Sequence, residues 1–217
     1  MGAKGTRTRE NILTNNEINL LKTGVRTLEE RVCIYIPLYT GMRTTEIIHM
    51  TNDWLDWETD QIRIPENQKC NCYECMKSIR PPKNPNRTKK TIKRVGFWSP
   101  KTRAGVRTIP MLPEIFPDLK SILIEVFKEH KIVREIVNCR AQIRNVQNRV
   151  ATRVGIKRNL FPHAFRGTYA KQLAKSGLDA FEITTALGWD DIKVAMNYIK
   201  IFGDELKQSM LKKMKSF

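Results

Sequence analysis

The sequence contains no apolar run approaching the roughly 20 residues that a membrane-spanning helix requires. Its polar start, from Met1 to Glu17, holds no stretch resembling a signal peptide. Acidic residues are scarce: 22 Asp and Glu stand against 39 Lys and Arg, a formal net charge of +17. Cysteine is sparse and odd in number, five in all, with three crowded together as Cys70, Cys72 and Cys75. That is not the pattern of a secreted disulfide framework. No internal repeat is present. These absences argue against a membrane protein, a disulfide-stapled secreted one and a solenoid, and the expectation is an intracellular, cytoplasmic protein. The start Met1-Gly2 with Thr6 matches the short myristoylation pattern. One such chain would give only marginal membrane binding, so the match is read as coincidence.

What is present narrows the class further. The chain has 217 residues, 41% of them hydrophobic, enough to bury a core in one large domain. A surface this basic repels itself unless it meets a polyanion, which makes nucleic acid the expected partner ahead of an anionic membrane.

The first fifty residues read as helical. Thr14 with Glu17 three positions on forms a capping box, and Thr27-Leu-Glu-Glu opens a second helix, dense in Val32, Ile34, Ile36 and Leu38. Thr40-Gly41-Met42 interrupts, and Arg43 restarts a short helix. The middle then alternates, with a strand expected at about 61–64 and two more near Val95–Trp98 and Val106–Ile109, the last two joined by a turn at Thr102 to Gly105. Residues 66–94 lack periodicity and read as a long Cys-, Pro- and Lys-rich insertion. From Pro113 the pattern is helical, with breaks near Lys131, at Gly155–Pro162, at Ser176-Gly177, at Gly188 and at Gly203. The expected fold is α+β and mainly α-helical, with a small antiparallel three-stranded sheet in one unit spanning 1–217.

Chemistry concentrates in a few places. In Phe161-Pro162-His163-Ala-Phe-Arg166, Pro162 favours a helix start, which puts His163 and Arg166 on one face of the first turn. An imidazole and a guanidinium at a positive helix end suit a phosphate. Leu187-Gly188-Trp189 follows, then Tyr198 nine residues after Trp189. Upstream stand Thr40-Gly41-Met42-Arg43-Thr-Thr-Glu46 and the segment from Ser99 through Lys101 to Arg107.

These elements resemble the tyrosine recombinase (phage integrase) family, whose pattern is T-G-x-R-x-x-E, a lysine on a β-hairpin turn, H-x-x-R, L-G-H/W and a tyrosine nine residues later. All occur here in order, from about Leu13 to Phe202, and the Cys-rich insertion looks most like archaeal chromosomal or viral members. The resemblance implies a catalytic domain that cuts and rejoins DNA through a 3′-phosphotyrosine, without metal or ATP, in a prokaryotic or virus-encoded mobile element. Tyr198 would be the nucleophile. Arg43 and Arg166 would clamp the nonbridging phosphate oxygens, since a guanidinium stays charged and donates in a planar fork. His163 fits a general base, Lys101 the acid that protonates the departing 5′ oxygen, and Trp189 a further donor to phosphate. Glu46 reads as a structural brace, and Tyr39 and Tyr169 as core residues. The implied partner is double-stranded DNA, with a homotetramer on paired sites and a monomer without DNA. A type IB topoisomerase activity and a non-catalytic DNA-binding regulator are the alternatives.

From Met76 to Arg94 there are eight Lys and Arg and no acid. Lys83, Arg87, Lys89, Lys90, Lys93 and Arg94 are therefore expected to contact the DNA backbone, joined by Arg103 and Arg107 near the lysine turn. Cys70, Cys72 and Cys75 offer three soft ligands for a structural zinc, but nothing in the sequence brings a fourth, such as Cys33 or His49, close. Cys33 and Cys139 read as inert core residues. Only about twelve residues precede the first helix, so the separate N-terminal helical domain common in the family is expected to be absent. Residues 203–217 read as an amphipathic helix, with Leu206, Met210, Leu211 and Met214 on one stripe, that packs on a neighbouring protomer or on its own domain.

Overall fold

Local sequence signals set most helix starts in the computed structural model, which describes residues 12–77 and 96–199. Helix α1 (Asn15–Gly24) begins at the Thr14–Glu17 capping box, each side chain taking the other's backbone N–H. Helix α2 (Leu28–Thr40) starts where Thr27 accepts from the Glu30 N–H, and it is buried along nearly its whole length. Three later helices pack around it: α5 (Pro117–Glu129), α6 (Arg140–Arg153) and α7 (Pro162–Lys175). No helix among the described residues is long and apolar enough to cross a membrane.

A proline lies inside this central helix. Pro37 has no N–H to give the Cys33 carbonyl one turn back, so that carbonyl would be orphaned in the core. Gln147 of α6, itself fully buried, fills the vacancy by donating Nε2 to Cys33 O at 3.0 Å. The helix then ends at Gly41 in the left-handed region (φ 58°), where a Cβ would come within 2.5 Å of Leu187 and 2.6 Å of Tyr169.

After α3 (Thr44–His49) the chain forms a small sheet. Strand β1 (Leu55–Asp56) pairs antiparallel with β2 (Gln61–Ile64), and β2 pairs antiparallel with β5 (Arg107–Pro110). A separate ribbon joins β3 (Gln68–Lys69) to β4 (Phe97–Trp98), with α4 (Tyr73–Lys77) following β3. The sheet has the expected three antiparallel strands, but its membership differs from the sequence reading. Phe97–Trp98 is drawn to residues 68–69 because Cys70 N–H bonds Gly96 O at 2.8 Å and Trp98 stacks on His49 and packs at a tilt against Trp54. Residues 99–106 therefore join two sheets and are not a hairpin turn. The start of the presumed structureless insertion is likewise ordered through Lys77; residues 78–95 and 200–217, including the expected C-terminal helix, lie outside the described residues.

The last described elements, α8 (Ala180–Leu187) and α9 (Ile192–Ile199), fold against α7 around a second, smaller apolar cluster of Tyr169, Ala170, Ile183, Leu187, Ala195 and Tyr198. Tyr39 and Tyr169 are buried, and so is Cys33. Cys139 is not: it is exposed at the N-cap of α6, because Val137 takes the core position just before the helix starts.

The Pro37–Gln147 arrangement gives a two-variant test. Gln147→Leu leaves the Cys33 carbonyl unsatisfied and should cost about 1–3 kcal/mol in denaturant unfolding. In a Pro37→Ala background the helix supplies its own donor, so the same change should cost clearly less. Equal costs in both backgrounds would contradict this account of Gln147.

Candidate active site

The C-terminus of α8 organises the site. Its final carbonyls have no partner within the helix, and they sit at the negative end of the helix dipole. Three successive ones each meet a guanidinium: Ala186 O accepts from Arg107 Nε at 3.0 Å, Leu187 O from Arg166 Nη2, and Gly188 O from Arg43 Nη2 at 2.8 Å. Gly188 makes the geometry possible, with φ 61° and a Cβ position only 2.5 Å from Ala104 O. Arg166 Nη1 also donates to Gly41 O at 2.5 Å, so the two glycine turns at 41 and 188 are bridged by one side chain.

Glu46 binds two of these arginines. It is fully buried and takes a two-pronged contact from Arg107 (Nη1 to Oε1 3.2 Å, Nη2 to Oε2 3.0 Å), a third from Arg43 Nη1 at 2.8 Å, and the Arg43 backbone N–H at 2.7 Å. Burial alone would raise its pKa, but the charge and hydrogen bonds of Arg107, then those of Arg43, hold it below the usual carboxylate range. Arg166 is 6% exposed; burial first, and then Arg43 and Arg107, push its pKa down to about 9. It stays protonated at neutral pH. Three guanidiniums thus cluster around a single carboxylate that pairs with two of them, and the surplus positive charge favours an anion.

That surplus faces a cleft of about 1200 Å³ lined by Arg43, Lys101, His163 and Arg166. His163 lies in the first turn of α7, after Pro162. Desolvation by the cleft, followed by the charges of Arg166, Arg43 and Lys101, pushes its pKa below 6.5, so the imidazole is mainly neutral at pH 7. Trp189 and Tyr198 adjoin this group through Arg166. The Trp189 ring lies under the Arg166 guanidinium (5.6 Å to the centroid) and stacks with Tyr198 at 5.5 Å. Tyr198 is 8% exposed, with its hydroxyl against Gly167, where a Cβ would be only 3.2 Å away.

The structure therefore brings Arg43, Lys101, His163 and Arg166 into one cleft, with Trp189 and Tyr198 alongside. Arg103 is exposed next to Lys101. Arg107 corrects the sequence reading: it is 9% exposed and points inward, so it does not offer itself to a DNA backbone. Strand parity is the reason, since Arg107 shares the inner face of β5 with Ile109. Lys83, Arg87, Lys89, Lys90, Lys93 and Arg94 lie outside the described residues.

The far wall of the same cleft holds Cys72 and Cys75, and with Cys70 they surround His49 Nε2. His49 is the partner that sequence spacing did not supply. It ends α3, the helix that Arg43 caps, and reaches the cysteines only through tertiary folding.

Residues 11–204 match the Phage integrase family, and the chain belongs to that family. A tyrosine recombinase XerC-like protein of Caldanaerobacter subterraneus subsp. tengcongensis is 23% identical over 201 residues, covering 85% of this chain and 48% of that protein. The chain thus spans about half the length of the curated relative it matches. Among solved structures, XerA recombinase is similar with a TM-score of 0.64 at 17% identity, covering 93% of this chain and 64% of that one. The Tn1549 transposon integrase in complex with transposon right end DNA gives 0.61 at 21% identity, covering 86% and 60%. XerH bound to palindromic difH gives 0.55 at 16% identity, covering 92% and 52%. These likenesses establish the fold, and the family needs no cofactor for catalysis.

Glu46→Gln keeps the shape of the brace and removes its charge. With two partly or fully buried guanidiniums left uncompensated, unfolding in denaturant should show a loss of about 3–5 kcal/mol. A change below 1 kcal/mol would remove Glu46 from its central place.

Proposed function

We propose that this domain is the catalytic part of a site-specific DNA recombinase that breaks and rejoins strands through Tyr198. The observation that carries this reading is the guanidinium surplus of Arg43, Arg107 and Arg166 over Glu46, opening on a cleft that holds His163 and Lys101, with Tyr198 stacked on the Trp189 ring under Arg166. A DNA phosphodiester is an anion that gains charge on its nonbridging oxygens as the phosphorus becomes pentacoordinate. Arg43 and Arg166, fixed beforehand by carbonyls and Glu46, stabilise that charge without reorganising. Lys101 and the Trp189 indole N–H add donors at the rim.

In the reaction, neutral His163 takes the Tyr198 hydroxyl proton and the phenolate oxygen bonds to phosphorus. The bond to the 5′ oxygen breaks, and Lys101 gives that oxygen a proton. The 3′-phosphotyrosine keeps the phosphoester energy, so attack by a free 5′ hydroxyl reverses the step on the same or another strand. No step uses a metal or a nucleotide. The partner is double-stranded DNA, and strand exchange calls for a homotetramer on paired sites. Ile192, Met196 and Ile199, exposed along α9, support a protein partner on that face.

Incubation with a suicide duplex, nicked close to the cleavage point, tests the nucleophile. Wild type should accumulate covalent protein–DNA, and Tyr198→Phe should accumulate none. Capture by Tyr198→Phe would refute the assignment, and no capture by wild type would favour a non-catalytic DNA-binding role. Recombination between two marked sites then separates this activity from topoisomerase-like relaxation.

The His163 environment sets a pH dependence. As the pKa is lowered, the base form persists on acidification, so the capture rate should hold from pH 7 through 6.5 and fall only below that. His163→Gln should lose this acidic limb when rates are followed over about pH 5–8. A midpoint above 6.5 in wild type would count against His163 as the base.

A further inference from the structure

We infer that His49, Cys70, Cys72 and Cys75 form a structural zinc site that pins both ends of the basic segment 78–95 to the helix capped by Arg43. The four donor atoms all lie within 4.8 Å of one another. His49 Nε2 stands 3.4 Å from Cys72 Sγ and 3.5 Å from Cys75 Sγ. In a tetrahedral zinc site, Zn–S of about 2.3 Å and Zn–N of about 2.0 Å place nitrogen and sulfur about 3.5 Å apart. One sulfur at such a distance is an ordinary hydrogen bond. Two converging on the same ring nitrogen, with a third close by, describe a coordination shell.

The surroundings agree with that chemistry. His49 Nδ1 lies 2.7 Å from Thr45 O, and a carbonyl only accepts, so Nδ1 carries the hydrogen and Nε2 presents its lone pair to the cluster. Backbone N–H groups of Cys72 and Cys75 point at the sulfurs of Cys70 and Cys72, each at 3.4 Å, as suits sulfurs that hold negative charge. Three thiolates, one imidazole and a zinc ion carry one net negative charge, and Arg134 Nη1 sits 3.0 Å from Cys70 Sγ to balance it. Trp98 stacks on the imidazole at 5.3 Å and limits its movement. Thiolate and imidazole donors favour zinc over magnesium or calcium. Four protein ligands leave no open position, so the ion is a staple and takes no part in strand transfer.

The place in the fold gives the staple its effect. Cys75 lies in α4, three residues before segment 78–95 begins, and the chain returns at Gly96, whose carbonyl accepts the Cys70 N–H at 2.8 Å. A Cβ at Gly96 would sit 2.4 Å from Cys70 O, so departure and return are in close contact at the metal site. The segment between them is rich in Lys and Arg and has no acid. His49 ties this assembly to α3 and so to Arg43 at its other end. Zinc would therefore fix the two points where the chain leaves and rejoins the described fold around this segment, cutting the freedom the segment must lose on meeting DNA.

The metal assignment stands apart from the recombinase reading, and its test needs no DNA. The full chain, purified without chelator, should contain one zinc per molecule by elemental mass spectrometry, and Cys72→Ser and His49→Ala should each lower that content severalfold. Because either variant can misfold, wild type is also stripped and loaded with cobalt(II). Intense visible bands of a tetrahedral ion with a thiolate charge-transfer band are the expected result. Absence of stoichiometric zinc, iron in its place, or an octahedral cobalt spectrum would overturn the site. The role is then read from binding of a labelled duplex: the stripped protein should bind more weakly and show a shallower dependence on salt than the zinc form. Identical salt slopes would overturn the link to the basic segment, while leaving both the zinc content and the Tyr198 capture assay as separate results.

Discussion

The paired contact of Glu46 with Arg107 and Arg43 is the constraint on which the site depends. A guanidinium taken out of water needs compensation, and here it comes from one carboxylate and three successive carbonyls at the end of α8. Without Glu46, Arg107 would be a buried charge on the inner face of β5, and that face could not pack against α8. The brace thus joins the sheet, α3 and α8, three elements far apart in sequence. Arg166 completes it from α7 by crossing to Gly41 and Leu187.

Compensation is deliberately incomplete in the physical sense that positive charge exceeds negative. Carbonyl dipoles orient the guanidiniums but do not cancel their charge, and Glu46 cancels one of three. The remainder is held in a rigid, partly desolvated setting, where an anion gains more than it would at an open surface. The same field acts on the neighbours. Together with desolvation, the larger cause, it lowers the His163 pKa and holds that imidazole neutral. One arrangement of charge therefore sets both the preference of the cleft for an anion and the protonation of His163.

Much of this was legible in the sequence, and the exceptions share a cause. Thr14 with Glu17, Thr27, Gly41 and Gly188 act within a few residues of themselves, so their caps and turns could be read directly. His163 and Arg166 were readable together because a helix turn joins them. Arg107 was misjudged although its parity with Ile109 was visible; charge was weighed above the period-two pattern of a strand. The pairing of Phe97–Trp98 with residues 68–69, and the strand at Leu55–Asp56, rest on long-range contacts of two-residue elements too short to show periodicity. His49 is the extreme case, since no spacing rule connects it to cysteines more than twenty positions away.

The short helix α3 carries the final consequence. It has six residues, Thr44–His49, hence a length of about 9 Å at 1.5 Å per residue. Its N-cap is Arg43, held by Glu46 and Gly188 O; its last residue is His49, held by the cysteine cluster. A helix this short is not stable alone and takes its position from what grips its two ends. Arg43 and the cysteine cluster are therefore mechanically one unit, with Glu46 on the intervening turn fixing the helix to β5. Any displacement of the cluster must be taken up either by melting α3 or by moving Arg43. Because Arg43 shares Glu46 with Arg107, moving it also disturbs the brace. Order at the cysteine cluster and order around Arg43 are thus coupled through this one short helix.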